Sequence, residues 1–210
     1  MAEFFRDNGA AMWTLTLEHL WLSGFATLLA VAIGVPLGIL LTRWPPARKP
    51  VLGGANIMQT IPSLALFGFL LPMPWIGATA ERLAILALML YSLLPIIRNT
   101  YAGITGVDRD VVEAARAMGL TDGQLLLQVE LPLAMNVIVA GIRVAAVICI
   151  GLATIAAAVG AGGLGEFIFR GLAMVDNRLI LAGAIPAAAL ALMADFGLGL
   201  VQKKLAPVAT

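Results

Sequence analysis

The chain has 210 residues, of which 61% are hydrophobic and 12% charged, and its formal net charge is +1. Soluble domains average about 45–50% apolar and about 25% charged residues, so a soluble globule of this composition would expose more apolar surface than water tolerates. The composition therefore predicts an integral membrane protein. The balanced charge and the single cysteine exclude a nucleic-acid binder, a disordered chain and a disulfide scaffold.

Five apolar runs along the chain are predicted to cross a bilayer. A spanning helix needs about 20 apolar residues for a hydrocarbon core of about 30 Å. The predicted spans are 20–42, 51–71, 83–97, 133–158 and 179–201. The third span is the shortest, and it requires Glu81, Arg82 and Arg98 to lie at the membrane interfaces. We predict an all-α membrane protein with a single domain over residues 1–210, whose first span is a retained helix.

The distribution of basic residues predicts the orientation of these helices. Lysine and arginine are enriched on the cytoplasmic side of membrane proteins. With Arg143 left aside because it lies within a span, one side carries Arg43, Arg48, Lys49, Arg98, Arg109, Arg116, Lys203 and Lys204, and the other carries Arg6, Arg82, Arg170 and Arg178. The excess places the N-terminus outside and the C-terminus in the cytoplasm. Residues 1–18 are then extracytoplasmic, and residues 98–131 form a cytoplasmic loop between the third and fourth spans.

The cytoplasmic loop is longer than a helix–helix turn needs, and its pattern predicts two short helices. In the first, Asp110 to Glu113 resembles a capping box with Asp110 as the N-cap. Its helix covers Val111–Met118, and Gly119 occupies the position after the C-cap. A second capping box, Thr121 to Gln124, begins a helix that is expected to stop before Pro132. Short amphipathic helices at a membrane surface can dock into a groove on a partner.

The same loop carries a resemblance to a known family. Glu113-Ala114-Ala115 is followed by Gly119 and, nine residues later, by Val129-Glu130-Leu131-Pro132. This spacing resembles the EAA loop of ABC-importer permeases, in which isoleucine stands where this chain has valine. The resemblance implies that Glu113, Ala114, Ala115 and Gly119 form a coupling helix that docks on a separate ATP-binding subunit. The alternative is an amphipathic loop that merely lies on the membrane surface.

Three further segments, 58–66, 91–101 and 160–165, are similar to the glycine betaine/carnitine/choline branch of these permeases. The resemblance implies a type I importer subunit in a bacterial inner membrane. It also implies pairing with a second permease copy, either identical or paralogous, together with two ATP-binding subunits and an extracytoplasmic binding protein. The pattern G-x-x-x-x-G-K-[ST] is absent from the sequence. ATP and Mg²⁺ are therefore expected on the partner ATPase, with no cofactor in this chain.

Polar residues within the second span are candidates for a translocation path. Asn56, Gln59, Thr60 and Ser63 follow the spacing i, i+3, i+4 and i+7, which defines one face of a helix. Polar groups in hydrocarbon are costly, so this face is expected to line a watery path, with Pro62 kinking the helix beside it. The alternative is hydrogen bonding between helices. Tyr91 could add an aromatic face that attracts a quaternary ammonium ion.

Two charged residues lie within predicted spans, and we expect them to form an ion pair. Arg143 lies 11 residues after Pro132, and Asp195 lies 8 residues before Lys203. Both positions are then at nearly the same depth from the cytoplasmic side. Pairing would neutralise two costly charges. The alternative is that Arg143 reaches cytoplasmic groups by itself.

A glycine-rich segment follows the fourth span. Gly160, Gly162, Gly163 and Gly165 spell G-x-G-x-x-G, but a dinucleotide site also needs a preceding strand, which a membrane helix does not provide. We interpret the segment as an extracytoplasmic turn that leads into residues 166–170 and closes the outer end of the path. Plain loop geometry is the alternative.

These observations favour a permease subunit for a compatible solute of the quaternary amine class, such as glycine betaine, choline or carnitine. The alternative within transport is a permease for an amino acid such as methionine. An intramembrane enzyme needs a buried nucleophile and base, and the sequence indicates neither. A channel or secondary carrier leaves the coupling segment unexplained. His19 is the only histidine and Cys149 the only cysteine, so no metal site is predicted.

Overall fold

The computed structural model describes residues 2–205, with side chains described from residue 8 onward. Within this range the chain is helical and contains no strand, as the composition predicts. The helices are α1 (Ala2–Arg43), α2 (Pro45–Thr60), α3 (Ser63–Leu70), α4 (Ala80–Thr105), α5 (Arg109–Ala117), α6 (Asp122–Leu125), α7 (Leu131–Ala156), α8 (Gly165–Met174) and α9 (Asn177–Lys204). A π-helical segment, Leu126–Glu130, joins α6 to α7, and a 3₁₀ turn, Ala157–Val159, follows α7.

Four of the described helical segments are long and apolar enough to cross a membrane, and α2 with α3 adds a fifth if this bent pair counts as one span. The first helix has 42 residues, about 63 Å at 1.5 Å per residue, so it is much longer than a bilayer is thick. The predicted N-terminal segment 1–18 is therefore largely a continuation of the first helix.

The third predicted span is longer than its apolar run suggests. Helix α4 has 26 residues instead of the 15 predicted, because Thr79 caps its N-terminus and accepts a hydrogen bond from the Arg82 amide. Its length is about 39 Å, which removes the difficulty of a short span. Arg98 consequently lies within the helix and not in a loop.

Helix α4 packs mainly between α1 and α7, and its buried face forms the centre of the bundle. Small residues permit a close approach of α1 to α4. A Cβ placed on Gly34 would come within 2.8 Å of the Ile96 side chain, and one on Gly38 within 2.5 Å of the Thr100 side chain. These two glycines, spaced as small-xxx-small, therefore set the distance between the two helices.

Helix α9 packs against α7 and α8, and α8 forms a short hairpin with the beginning of α9. We call residues 106–130, between α4 and α7, the coupling segment. Since α7 connects this segment at its start to the glycine-rich turn at its end, these two features lie at opposite ends of the bundle. We refer to them below as the coupling end and the outer end, after the positions that the sequence predicts for them.

Candidate functional site

The first helix of the coupling segment begins earlier than the sequence indicates. Asp108 is the N-cap of α5, and its Oδ1 accepts a hydrogen bond of 2.8 Å from the Asp110 amide. The predicted capping box with Asp110 as N-cap is therefore wrong. Asp110 lies instead in the first turn of the helix, where a negative charge is favourable. Aspartate favours the N-cap at both positions, and Glu113, three residues after Asp110, completes a capping box only for Asp110. The backbone nevertheless begins the helix after Asp108.

The end of α5 has the geometry predicted from Gly119. This glycine has a φ of +87°, a left-handed conformation that costs other residues free energy. The Gly119 amide donates to the Arg116 carbonyl, and the Leu120 amide donates to the Ala115 carbonyl. This pair of hydrogen bonds is a Schellman motif. The turn that separates the two helices of the coupling segment is therefore built into the local sequence.

The second capping box is present as predicted. The Thr121 side chain accepts from the Gln124 amide, and the Gln124 side chain accepts from the Thr121 amide. However, the helix that begins here does not stop before Pro132. It continues through the π-helical segment 126–130 into α7, and Pro132 is the second residue of that helix. The widened turn accommodates a residue that lacks an amide proton.

The residues that resemble the EAA loop lie partly on the surface and partly in the interior. Glu113, Ala114 and Gly119 are exposed, whereas Ala115 is only 2% exposed. Apolar side chains surround the exposed residues, with Val111 42% and Met118 75% exposed. The coupling segment thus presents a surface that combines one carboxylate, small residues and unburied apolar groups. Such a surface is suited to contact with another protein.

A buried carboxylate that no sequence pattern indicates anchors the coupling segment to the first helix. Glu130 is 5% exposed and forms an ion pair with Arg43, the last residue of α1. These residues are 87 positions apart, so no local pattern connects them. The signal available in the sequence was a basic residue directly after the first predicted span and an acidic residue just before the fourth. The pair links the base of the coupling segment to the end of α1.

The predicted single helix of the second span is broken, and this changes the geometry of the candidate path. Helices α2 and α3 meet at Ile61–Pro62 with a bend of 103°. The prediction that Asn56, Gln59, Thr60 and Ser63 share one helix face is therefore wrong, because Ser63 begins a different helix. Pro62 lacks an amide proton and disfavours the α conformation of the preceding residue, and Ile61 accordingly adopts an extended conformation.

The break nevertheless brings several of the candidate residues around one cavity. A cavity of about 380 Å³, called the polar cavity below after its four polar side chains, is lined by Gln59, Thr60, Ser63 and Tyr91. Apolar residues of the break and of α7 complete its walls. The Gln59 amide donates a hydrogen bond of 2.9 Å to the Tyr91 carbonyl, and the Tyr91 hydroxyl donates to the Ile61 carbonyl. Tyr91 therefore supplies a partner for a carbonyl that the broken helix leaves without one. Asn56 lies elsewhere, at a second cavity near the coupling end.

Arg143 and Asp195 lie together between α7 and α9. The Arg143 Nε and Nη2 atoms donate to the two carboxylate oxygens of Asp195 at 2.5 and 2.6 Å. Gln202 is a further acceptor for Arg143 at 3.4 Å. The arrangement is bidentate, the geometry that favours arginine over lysine. It joins two helices whose contacting residues are 52 positions apart.

At the outer end, the glycine-rich segment forms a turn that only glycine adopts readily. Gly160, Gly162 and Gly163 have φ values of +79°, +84° and +80°, and Gly165 begins α8. The Gly163 amide donates a hydrogen bond of 3.1 Å to Glu18 of α1. The turn is therefore held against the first helix, and it directs α8 back along the start of α9.

Within residues 8–205, no group of three or more histidine, cysteine, aspartate or glutamate side chains is arranged to hold a metal ion. His19 is fully buried and its Nε2 lies 3.0 Å from the Ile150 carbonyl oxygen. Cys149 is also buried, and its thiol lies 3.4 Å from the Ser23 carbonyl oxygen. Both side chains thus occupy packing positions between α1 and α7.

Taken together, the long apolar helices, the exposed coupling segment and the polar cavity at the broken helix describe a transport subunit of the membrane. Residues 34–207 match the family model described as "Binding-protein-dependent transport system inner membrane component". The chain belongs to this family of ABC-importer permeases. It is a multi-pass subunit of the bacterial inner membrane and not an enzyme, and ATP hydrolysis takes place on a separate component. Proteins of this family work with a partner permease, ATPase subunits and a binding protein.

Relatives of known function are similar over nearly their whole length. The carnitine transport permease protein OpuCB of Listeria monocytogenes is 47% identical, over 98% of this chain and 93% of the relative. The osmoprotectant import permease protein OsmW of Salmonella typhimurium is 44% identical, over 96% and 94%. The choline transport system permease protein OpuBB of Bacillus subtilis is 42% identical, over 99% and 94%.

The fold itself is that of a solved importer. A chain of the MetNI methionine ABC transporter, in an inward-facing conformation, superposes with a TM-score of 0.82 and covers 91% of this chain and 94% of its own. Its sequence is 23% identical. At this level of identity the similarity concerns the fold alone.

Proposed function

We propose that this chain and a second permease copy enclose the path by which an ATP-driven importer takes up a compatible solute of the quaternary amine class. Glycine betaine, choline and carnitine are the members of that class that we propose. The observation that carries the proposal is the coupling segment, which presents Glu113, Ala114 and Gly119 on an exposed helix at one end of the bundle. Relatives named for carnitine and choline, at 42–47% identity, support the substrate class.

We propose five spans, with the N-terminus outside and the C-terminus in the cytoplasm. The bent pair α2 and α3 then counts as one span. This topology places the coupling end, with its excess of lysine and arginine, in the cytoplasm. The glycine-rich turn then faces the outside, where a binding protein would deliver the solute. Residues 2–18 then lie on that outer side as part of the first helix.

The mechanism is a conformational change driven from the coupling segment. Two ATPase subunits would bind the α5 helices of two permease copies, and ATP with Mg²⁺ would bind to those subunits. Drawing the ATPase subunits together would shift the population of permease conformations, since ligands act only through differential binding to two states. Ala114 permits close approach of a partner, and Glu113 supplies a carboxylate for a charge-assisted hydrogen bond.

The polar cavity at the broken helix supplies neutral groups suited to a quaternary ammonium ion. Gln59, Thr60, Ser63 and Tyr91 provide amide, hydroxyl and aromatic surfaces, and no carboxylate lines the cavity. A cation can be attracted by an aromatic face and by neutral oxygens without being held tightly. This is the property a path requires. The Arg143–Asp195 pair joins two opposite charges that lie within α7 and α9. The outer turn at Gly160, Gly162, Gly163 and Gly165 would close the outer end of the path.

The test is uptake by the complete importer in proteoliposomes. The permease, its ATPase and its binding protein are reconstituted, and accumulation of labelled glycine betaine, choline, carnitine and methionine is compared with and without internal ATP. We expect ATP-dependent accumulation of at least one of the three quaternary amines and none of methionine. Accumulation of methionine alone would establish the amino-acid alternative. Accumulation that needs no ATPase would contradict the importer mechanism itself.

A further inference from the structure

A cationic cavity lies at the coupling end, apart from the coupling segment and the polar cavity. It has a volume of about 840 Å³ and is formed by the end of α1, the start of α2 and the α4 helix near Arg98. Three basic side chains, Arg48, Lys49 and Arg98, line it, and no acidic residue does. The three residues come from two helices that are about 50 positions apart along the chain, so the fold, and not a single basic run, collects them.

The three charges lack a counter-charge among the described residues. The ion pairs of residues 8–205 involve other arginines, namely Arg43, Arg116 and Arg143. Arg48 contacts the Tyr101 ring, with its guanidinium carbon 4.6 Å from the ring centroid. A cation–π contact of this kind orients the cation but leaves its charge in place. Because like charges repel at short range, this cavity favours an anionic occupant.

The surroundings of the cavity indicate the depth at which it lies in the membrane. Trp44, which precedes α2, is 57% exposed, and tryptophan is enriched at the level of lipid headgroups. Leu41 and Leu52 contribute apolar walls to the same cavity. The cavity therefore combines basic side chains with an apolar wall at the depth of the lipid headgroups. This combination is complementary to an amphiphile that has an anionic phosphate and an apolar tail. Basic pockets between membrane helices on the cytoplasmic side are suited to such headgroups.

We propose that this cavity binds the phosphate of an anionic phospholipid of the cytoplasmic leaflet, with Arg48, Lys49 and Arg98 as its ligands. The leaflet rests on the orientation proposed above, whereas the site itself does not. A bound lipid would fix the start of α2 against the end of α4. It would thus connect the lipid composition of the membrane to the helix that leads into the broken span.

The test measures lipid binding directly and makes no use of transport. The complete importer is placed in nanodiscs containing phosphatidylglycerol and phosphatidylcholine in both leaflets, extracted with mild detergent, and examined by native mass spectrometry for retained lipid. The variant Arg48→Gln/Arg98→Gln removes two charges from the cavity. The matched variant Lys203→Gln/Lys204→Gln removes two charges at the same end of the bundle, outside this cavity. A parallel arm adds inorganic phosphate as a competitor.

We expect the wild-type importer and the Lys203→Gln/Lys204→Gln variant to retain phosphatidylglycerol in preference to phosphatidylcholine. The amount of phosphatidylglycerol retained by the Arg48→Gln/Arg98→Gln variant should be lower by roughly tenfold or more. Millimolar phosphate should not displace the lipid from the wild-type importer. Equal retention by all three proteins would overturn the proposal. Displacement by inorganic phosphate would assign the cavity to a soluble anion instead. Loss of the ATPase, and not of lipid, from the Arg48→Gln/Arg98→Gln variant would assign it to a protein partner.

Discussion

The coupling segment and the broken second span are both irregular, but different kinds of contact hold them. In the coupling segment, Asp108 caps α5 through an amide two residues away, Gly119 closes it through neighbouring carbonyls, and Thr121 pairs with a residue three positions on. At the broken span, the hydrogen bonds from Gln59 and Tyr91 join residues 32 and 30 positions apart. The two short helices of the coupling segment are capped by local contacts, and the long-range Arg43–Glu130 pair attaches only its base to α1. The break instead depends on the packing of α4 beside it.

This difference leads to distinct expectations for function and stability. A coupling segment with its own local caps keeps its shape while the spans beneath it rearrange, as a point of attachment must. A break that α4 holds in place changes when α4 moves relative to α2. Variants of the coupling segment should therefore reduce uptake without loosening the membrane bundle, and variants at tertiary contacts should affect the bundle itself.

The largest effect is expected for Glu113→Ala, which removes the exposed carboxylate of the coupling segment. Loss of a charge-assisted hydrogen bond to the ATPase should reduce ATP-driven uptake by about tenfold or more, and the thermal unfolding of the purified permease should not change. Asp122→Ala, which removes another exposed carboxylate nine residues later, is the matched control and should keep most uptake. Equal effects of the two variants would show that general surface charge, and not Glu113, matters.

The next largest effect is expected for Arg143→Gln, which leaves Asp195 without its bidentate partner. An uncompensated carboxylate between α7 and α9 should lower the yield of folded protein, measured by size-exclusion chromatography in detergent. The double variant Arg143→Gln/Asp195→Asn removes both charges and should recover much of that yield. A double variant that is no better than the single one would contradict a pairing role for these residues.

A smaller effect is expected for Tyr91→Phe, which removes the hydroxyl that donates to the Ile61 carbonyl. This hydrogen bond is partly buried, so its loss should cost about 1 kcal/mol. The unfolding temperature should fall by a few degrees, and uptake should fall with it. Tyr101→Phe is the control, because it removes a hydroxyl while keeping the ring beside Arg48. Comparable shifts in both variants would argue against a special role of Tyr91 at the break.

The smallest effect is expected for Gly119→Ala. An alanine in the left-handed conformation costs about 1–2 kcal/mol, which should distort the end of α5 and reduce uptake severalfold. Gly123→Ala is matched to it, since both positions have open space for a Cβ but only Gly119 has a positive φ. Thermal unfolding should be unchanged for both. If the Gly119 variant loosens the whole bundle, the coupling segment is not the independent local unit described above.

The sequence predicts the local features of this molecule well and the tertiary features less well. The Gly119 turn and the Thr121 capping box follow from residues a few positions apart, and both are present. The sequence predicts a kink at Pro62, because proline weakens a helix. It does not predict a complete break, because the break depends on the partner that Tyr91 supplies for the Ile61 carbonyl. The continuation of the helix past Pro132 was missed, since a π-helical turn has no signature in a short sequence window.

Long-range contacts show the same limit. Matching depths along two helices led to the Arg143–Asp195 pair, because charges in a membrane restrict their partners. The Arg43–Glu130 pair does not follow from the sequence, since Glu130 falls in the predicted cytoplasmic loop, whereas the fold buries it. Similarly, nothing in the sequence indicates that Arg48 and Arg98 line one cavity.

The central claim is that an ATPase subunit binds this permease through α5, and site-specific cross-linking tests that claim most directly. Cys149 is replaced by alanine, and a single cysteine is introduced at Ala114, which is exposed in the coupling segment, or at Leu172, which is exposed on α8 at the outer end. Each thiol is labelled with benzophenone maleimide and the assembled importer is illuminated. The account predicts a permease–ATPase adduct from position 114 and none from position 172. An adduct from 172, or none from 114, would contradict it.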